Sequence, residues 1–327
     1  MKKTTWRPIL STIALGAGLA LSPLVSAQDY PSRPVMMVVP FPAGGGADAL
    51  ARVLGREVEK RLGQPIVVDN APGAGSTIGF SRVANAAPNG YTLLFASSSG
   101  LVMAPHLYSN VTYKTFESFE PISMLAYSPY LLAVNSKSPY KGYSDLVREG
   151  KAHPGKLNWA SPGVGTSLHL TLALILDQAG VEAQPVSYAG GAASQMGLLR
   201  EEVQFLVDTP SSTGPHIKSG STRALAVTSL QRLDDYPDVP TLDELGLKGF
   251  DSRAWFAMMA PKGTPKVVLE KISAAIKETL TDPEVIKGLK DRGYITSLST
   301  PEELTQTMRT EYDRWGKLIR AKNIRVN

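Results

Sequence analysis

The stretch PVMMVVPFPAGGGADALARVLGREVEKRLG, residues 34–63, decides the fold of this chain. It reads as a buried strand, a turn with three consecutive glycines and an amphipathic helix that ends at Gly63. Such a turn leaves the first N–H groups of the helix without partners, and the helix dipole adds partial positive charge there. The element therefore predicts a site for a carboxylate or a phosphate. The alternative is that the glycines serve only a tight turn.

The order of strand, glycine-rich turn and helix returns along the chain. The strand PIVVDN (65–70) is followed by APGAGSTIG (71–79), and a strand at 157–160 is followed by SPGVGTS (161–167). Strands that alternate with helices through short connections are typical of parallel sheets with helices on both faces. The sequence therefore predicts an α/β protein with two Rossmann-like lobes.

Two apolar segments without helical period predict where the chain passes between these lobes. They are FEPISMLAYSPYLLAVN (119–135) and AWFAMMA (254–260). We expect lobe 1 to comprise residues 28–128 and 253–327, lobe 2 to comprise residues 129–252, and a ligand cleft to lie between them. Two crossings make a hinge, whereas one would make only a tether.

The first 27 residues have the pattern of a secretory signal peptide. Three basic residues precede an apolar run at 9–21, and Val25-Ser26-Ala27 places a small residue at each of the two positions that an A-x-A cleavage signal needs. The run is shorter than the roughly 20 apolar residues of a membrane span. We expect cleavage after Ala27 and, in a Gram-negative host, a protein free in the periplasm.

Composition excludes several classes of function. Removal of residues 1–27 lowers Lys+Arg from 34 to 31 against 29 Asp+Glu, which leaves a net charge of +2 and no basic cluster. A nucleic-acid partner or a membrane-surface role is therefore not expected. The chain has no cysteine, and its four histidines are isolated from one another, so we expect no metal and no cofactor. We expect the protein to act as a monomer.

Catalytic motifs are missing as well. There is no G-x-S-x-G elbow, and only Asp48, His169 and Asp208 are placed to serve as a general base. Asp48 follows the three glycines, where a carboxylate caps a helix and braces a loop. His169 falls in the first turn of a helix and is either a ligand contact or a packed side chain. Asp208 ends a strand, where its carboxylate either braces a loop or accepts a hydrogen bond from a donor group of the ligand.

Four further motifs carry a family resemblance. VVPFPAGGGAD, GQPIVVDNAPGAG, LNWASPGVGTSLHL and VSYAGGAASQMGLL, in this order, resemble the tripartite tricarboxylate transporter receptors, also called Bug proteins. The likeness covers essentially the whole chain after residue 27. It implies a two-lobed periplasmic solute-binding protein of Venus-flytrap architecture. Such a receptor delivers a small di- or tricarboxylate or aromatic acid to an inner-membrane permease with a large and a small subunit.

The resemblance also implies which positions bind the ligand. In the family, the first glycine loop and the Ser-Pro-Gly-x-Gly loop hold the carboxylate, partly through ordered waters. On this chain those roles fall on Phe41, Gly45, Gly46, Ala47, Ser161, Gly163, Val164, Gly165 and Thr166. Family pockets also use the positions of Ser76, Ser98, Tyr188 and Asp208.

The chain departs from the family pattern at three places. Ala47 stands where many members have Thr or Ser, Ala189 replaces a frequent Lys, and Ser76-Thr77 replace a common Gly-Asn. These changes predict a pocket with fewer polar side chains, compatible with a flat aromatic or aliphatic acid. Two other functions stay open at this point: a ligand-sensing subunit for a membrane sensor kinase, and a periplasmic enzyme that acts on a small acid.

Overall fold

The computed structural model describes residues 1–2 and 30–326. The predicted signal peptide therefore lies, apart from its first two residues, outside the described residues. The strands are β1 (Val35–Val39), β2 (Ile66–Asn70), β3 (Thr92–Ser97), β4 (Phe119–Pro129), β5 (Leu131–Asn135), β6 (Leu157–Ser161), β7 (Ala183–Ser187), β8 (Phe205–Asp208), β9 (Thr222–Val227), β10 (Arg253–Pro261) and β11 (Ile295–Thr296). The helices are α1 (Gly46–Leu62), α2 (Thr77–Ala84), α3 (Ala104–Leu107), α4 (Tyr143–Ala152), α5 (Ser167–Ala179), α6 (Gly191–Leu199), α7 (Pro210–Lys218), α8 (Lys266–Leu280), α9 (Pro283–Lys290) and α10 (Pro301–Ala321).

The strands form two separate sheets. The six-stranded sheet of lobe 1 has the order β11-β4-β10-β3-β1-β2, and the five-stranded sheet of lobe 2 has the order β7-β6-β8-β5-β9. The chain passes from the first sheet to the second between β4 and β5 and returns between β9 and β10. The predicted α/β fold with two lobes and two crossings is confirmed.

Strand pairing turns the carboxyl edges of both sheets toward these crossings. β4 leaves lobe 1 at Pro129, and β10 returns antiparallel to it. Ser97 at the end of β3 pairs with Phe256 near the start of β10, and β1 and β2 run parallel to β3. In lobe 2, Leu131 pairs with Asp208 at the end of β8, to which β6 is parallel. The loops that follow β1, β3, β6 and β8 therefore all lie on the crossing side of their sheets.

Apolar side chains fix the helices on the sheets. α1, α8 and α9 share one buried cluster with β1, β3 and β10, through residues such as Leu54, Ile272 and Leu289. A second cluster extends across both lobes, since it includes Leu318 of α10 and Leu174 of α5. The helices also end where the sequence indicates. Gly63 after α1 and Gly180 after α5 adopt the left-handed conformation that is typical of a helix end.

A π-helical turn, Ser99–Met103, directly follows β3. The hydroxyl of Tyr113 donates to the Gly100 carbonyl, and that of Thr115 donates to the Leu101 carbonyl, so distant side chains satisfy backbone groups that a regular helix would pair.

The π-helical turn gives a test of the packing. A Cβ atom at Gly100 would overlap the ring of buried Phe80. We expect Gly100→Ala to lower the free energy of unfolding by about 1–3 kcal/mol, because the core must move to admit one methyl group. Gly288→Ala is the matched control. Gly288 lies inside α9 with its nearest neighbour at 3.6 Å, and the change should stabilise the protein by about 0.5–1 kcal/mol. Urea unfolding measures both; equal effects of the two substitutions would contradict the packing described.

Candidate functional site

The loop between β1 and α1 presents unpaired backbone N–H groups. Gly45 precedes α1 in an extended conformation and makes no side-chain cap. Among the described residues, the N–H groups of Gly45, Gly46 and Ala47 have no acceptor. Gly45 and Gly46 are exposed to solvent. The ring of Phe41 packs edge-on against the ring of Phe256, with 6.2 Å between the ring centroids. This turn therefore offers donors and the positive end of a helix dipole at one place.

Asp48 braces this loop. One of its carboxylate oxygens accepts hydrogen bonds from the Gly44 N–H (2.8 Å) and the Arg52 Nε (3.0 Å), and the other accepts from Asn70 Nδ2 (2.9 Å). Asn70 Nδ2 also donates to the carbonyl oxygen of Phe41. The hydrogen bond from Arg52 is the main cause that lowers the pKa of Asp48 to about 2, against burial, which raises it. The carboxylate is thus charged and accepts three hydrogen bonds from the protein.

The loop between β6 and α5 is braced in a different way. Ser161 is fully buried, and its Oγ lies 2.7 Å from His169 Nδ1 and accepts from the Gly163 N–H at 3.3 Å. Ser161 Oγ and His169 Nδ1 therefore share a hydrogen bond, with the donor set by the tautomer of the imidazole. Burial lowers the pKa of His169 to about 4. The ring centroids of His169 and buried Trp159 lie 4.9 Å apart. His169 is therefore a packed side chain that supports the loop from within the protein.

The upper part of this second loop combines free amides with a contact to lobe 1. Thr166 caps α5 by accepting from the His169 N–H at 3.2 Å. The N–H groups of Val164 and Gly165 have no acceptor among the described residues. Gly165 has φ +80°, and a Cβ atom there would lie 2.6 Å from Val326 and 3.2 Å from Leu107, both of lobe 1. The loop therefore sits against the opposite lobe.

Asp208 lies at the end of β8 among the starts of two other helices. It accepts from the Thr209 N–H (2.7 Å) and from Ser212 Oγ (2.8 Å), both at the start of α7. A Cβ atom at Gly191, the first residue of α6, would lie 3.6 Å from Asp208 Oδ2. The carboxylate is buried, and burial raises its pKa. Asp208 thus braces the start of α7 and lies beside the start of α6.

The remaining predicted positions divide into two groups. Ser76 and Ser98 are buried at the carboxyl edge of lobe 1, and Ser98 Oγ lies 3.5 Å from the Trp255 N–H. Tyr188 packs over Gly197 on α6, and its hydroxyl donates to Glu202 Oε2 at 3.0 Å. The Tyr188 side chain therefore lies along α6 and is not directed toward the β1–α1 and β6–α5 loops.

Two tyrosines that the sequence interpretation missed contact these helix starts, one within each lobe. The buried Tyr130 hydroxyl lies 3.0 Å from Ser167 Oγ at the start of α5. The Tyr294 hydroxyl lies 3.1 Å from the position of a Cβ atom at Gly46. Tyr130 could have been singled out by its place at a crossing, whereas nothing in the local sequence marks Tyr294.

The two loops hold no free basic side chain. Arg52, the basic residue in contact with the first loop, is engaged by Asp48 and Asn70. Within residues 30–326 no group of His, Asp and Glu is arranged to hold a metal ion. Among the described helices, none is long and apolar enough to cross a membrane. The arrangement can bind an anion through backbone dipoles and hydroxyls.

Comparisons with known proteins point the same way. The family profile described as "Tripartite tricarboxylate transporter family receptor" matches residues 50–324. The chain is 35% identical to protein BugT of Bordetella pertussis, over the full length of both. Two solved structures from Rhodopseudomonas palustris are similar. MatC with bound malate shares 32% identity at a TM-score of 0.74, covering 89% of this chain and all of MatC. Rpa4515 with adipate shares 28% identity at a TM-score of 0.78, covering 91% of this chain and all of Rpa4515.

Removal of the Asp48 charge should weaken the first loop. We expect Asp48→Asn to lower the free energy of unfolding at pH 7 by about 1–2 kcal/mol, since the folded pKa of about 2 lies below the ordinary value of 3.8. A lowered carboxyl pKa stabilises above pH 4, and this contribution is lost as the pH falls toward 2. The difference between parent and variant should shrink over that range in urea unfolding. Asp291→Asn, at an exposed ion pair with Lys287, is the control and should change little.

The buried His169 should make the protein sensitive to mild acid. The unfolded chain takes up the proton near pH 6.5, whereas the folded chain does so only near pH 4. Stability should therefore fall by about 1.4 kcal/mol per pH unit as the pH drops through this interval. His169→Asn should remove this slope, while His153→Asn, at an exposed histidine, should keep it. Urea unfolding at half-unit steps of pH measures the slope, and an unchanged slope in His169→Asn would refute the assignment.

Proposed function

Because this chain belongs to the tripartite tricarboxylate transporter receptor family, we propose that it is a periplasmic solute-binding protein that delivers a small carboxylate to a membrane permease. The ligand is captured between the two lobes at the starts of α1 and α5. The permease is the large and small membrane subunits of a tripartite transporter. The predicted signal peptide is consistent with this location.

One observation carries the proposal. Two helix starts, one in each lobe, lie on the crossing side of their sheets with unpaired N–H groups and no free basic side chain. Backbone amides at a helix start hold an anion by direct hydrogen bonds and by the helix dipole. A carboxylate is small enough to use such donors without a salt bridge. A site without a fixed counter-charge also releases its ligand more readily to a downstream protein.

Ligand capture then follows from the two-lobe design. A carboxylate that touches Gly46 and Ala47 from one lobe and Val164 and Gly165 from the other binds the closed form better than the open form. By population shift, binding favours closure by as much as the difference between these two affinities. The permease then recognises the closed conformation of the receptor.

The ligand class takes support from the relatives. MatC was solved with malate and Rpa4515 with adipate, two dicarboxylates of different length. A site built from backbone donors tolerates such variation, since it reads the carboxylate and not the rest of the molecule. The probes for this chain are therefore short and longer carboxylic acids.

An enzyme at the same cleft finds little support in these side chains. Asp48 accepts three hydrogen bonds and has a pKa of about 2, which makes it a poor base. His169 is buried against Trp159 with Nδ1 occupied by Ser161. Asp208 is fixed by Thr209 and Ser212. None of the three is placed to take a proton from a bound acid.

The proposal is tested by binding to residues 28–327. A thermal-shift screen with malate, adipate, citrate and benzoate should raise the unfolding temperature for at least one acid, since a ligand at one hundred times its Kd stabilises by about 2.7 kcal/mol. Gly46→Val should lower the affinity for that acid about tenfold or more in calorimetry, because the new side chain covers the N–H groups. Ala49→Val, at an exposed position one turn on, should bind like the parent. Equal binding by Gly46→Val and the parent would overturn the site.

A further inference from the structure

Segment 322–326, which follows α10 of lobe 1, reaches across to α5 of lobe 2. Lys322 Nζ pairs with Asp177 Oδ1 at 2.6 Å in the last turn of α5. At the other end of the segment, Val326 Cγ2 lies 2.6 Å from the position of a Cβ atom at Gly165, just before the start of α5. The segment therefore contacts lobe 2 near both ends of α5, and the contact at the start falls on the second loop of the candidate site.

The end of α10 fixes the direction of this segment. Asn323 has φ +49°, in the left-handed region, and the Ile324 N–H donates to the Ile319 carbonyl oxygen at 3.0 Å. This pairing is the one that closes a helix when the residue after its end is left-handed. Ile324 and Val326 are half-buried and pack on the apolar cluster that includes Leu318 of α10. Backbone and side-chain contacts therefore hold the segment in place.

A second lobe-1 side chain contacts the same glycine and is also anchored on α10. Leu107, the last residue of α3, lies 3.2 Å from the Cβ position at Gly165. Its neighbour His106 packs on α10, with Nε2 2.9 Å from the Tyr312 carbonyl oxygen and 4.1 Å between the two ring centroids. Leu107 and Val326 thus form one apolar notch on lobe 1, which receives the turn at Gly165.

The notch couples the second loop to the arrangement of the lobes. A contact between side chains of lobe 1 and a loop of lobe 2 is made when the lobes are together and is lost when they separate. The same loop carries the N–H groups of Val164 and Gly165, which have no acceptor among the described residues. The apolar contact and a ligand that bridges the lobes therefore favour the same arrangement. Loss of the contact lowers the apparent affinity in proportion to the closed population that is lost.

We propose that segment 322–326 is a strap that holds the second loop against lobe 1, and that Val326 thereby sets the balance between the closed and open arrangements of the lobes. Val326 is a positioning residue, since it acts on the free N–H groups of the loop through its contact at Gly165. The effect on the lobes follows from these contacts alone, whereas the effect on ligand affinity rests on the proposed function.

Distances between two spin labels test the strap without any ligand. Because the chain contains no cysteine, Ser144→Cys on α4 and Lys277→Cys on α8 place one label at an exposed position of each lobe. In this background, Val326→Asp should shift and broaden the distribution of distances, since a carboxylate is costly in an apolar notch. Val267→Asp introduces the same charge at an exposed valine on α8 and should leave the distribution unchanged.

Calorimetry then measures the effect on affinity, with malate and adipate as probes. Each acid that binds the parent should bind Val326→Asp at least about fivefold more weakly and Val267→Asp within about twofold. Val326→Ile keeps the apolar contact and should match the parent in both measurements. Circular dichroism checks that each variant is folded. If Val326→Asp does not fold, Val326→Ala, which only shortens the side chain, takes its place and should shift the distances in the same direction.

The two measurements separate failure of the strap from failure of the proposed function. Identical distance distributions in the parent and in the folded Val326 variant overturn the strap, whatever the acids do. An equal shift in Val267→Asp also overturns it, because the shift would then not depend on the notch. If the distances shift as expected but no acid of the wider panel binds the parent, the strap stands and the proposed function is refuted. Shifted distances with unchanged affinity refute the coupling to the ligand.

Discussion

The antiparallel pairing of β4 with β10 is the constraint on which the rest of the structure depends. These strands carry the chain out of lobe 1 and back, and they pair along their whole length, from Pro129 and Arg253 to Phe119 and Pro261. Just beyond them, Tyr130 and Thr228 exchange two hydrogen bonds, at 2.8 and 3.0 Å. The two crossings are therefore held side by side, and the starts of α1 and α5 lie on the crossing side of their sheets.

Polar groups of the protein itself hold both glycine loops in shape. A buried carboxylate holds the first loop, and a buried Ser161–His169 pair holds the second. Because these polar groups form hydrogen bonds within the loops, they fix the direction of the free N–H groups. Ligand binding then has to order little additional backbone. Because Asp48 and His169 are engaged within the loops, we expect neither of them to act as a base toward the proposed ligand.

Much of the fold could be predicted from the sequence, because the patterns that define helices, strands and turns are local. Apolar period, glycine turns and the glycines that end helices, such as Gly63 and Gly180, predict elements that the structure confirms. The ligand positions stay predictions, although the structure places most of them at the two carboxyl edges. Local signals could not reveal Tyr294, which reaches Gly46 from 248 positions away through tertiary packing. The π-helical turn was missed for the same reason, since Tyr113 and Thr115 satisfy it from outside.

The positions of the tryptophans have a spectroscopic consequence. Three of the four lie beyond the predicted signal peptide, and all three are buried near the site or the crossings. Trp159 lies beside His169 beneath the second loop, Trp255 lies in β10 with its indole N–H 2.9 Å from Glu311, and Trp315 lies on α10. If the lobes close on a ligand as proposed, we expect the environment of these indoles, and with it their fluorescence, to change. The rates of that closure would then be accessible to stopped-flow measurement without an attached dye.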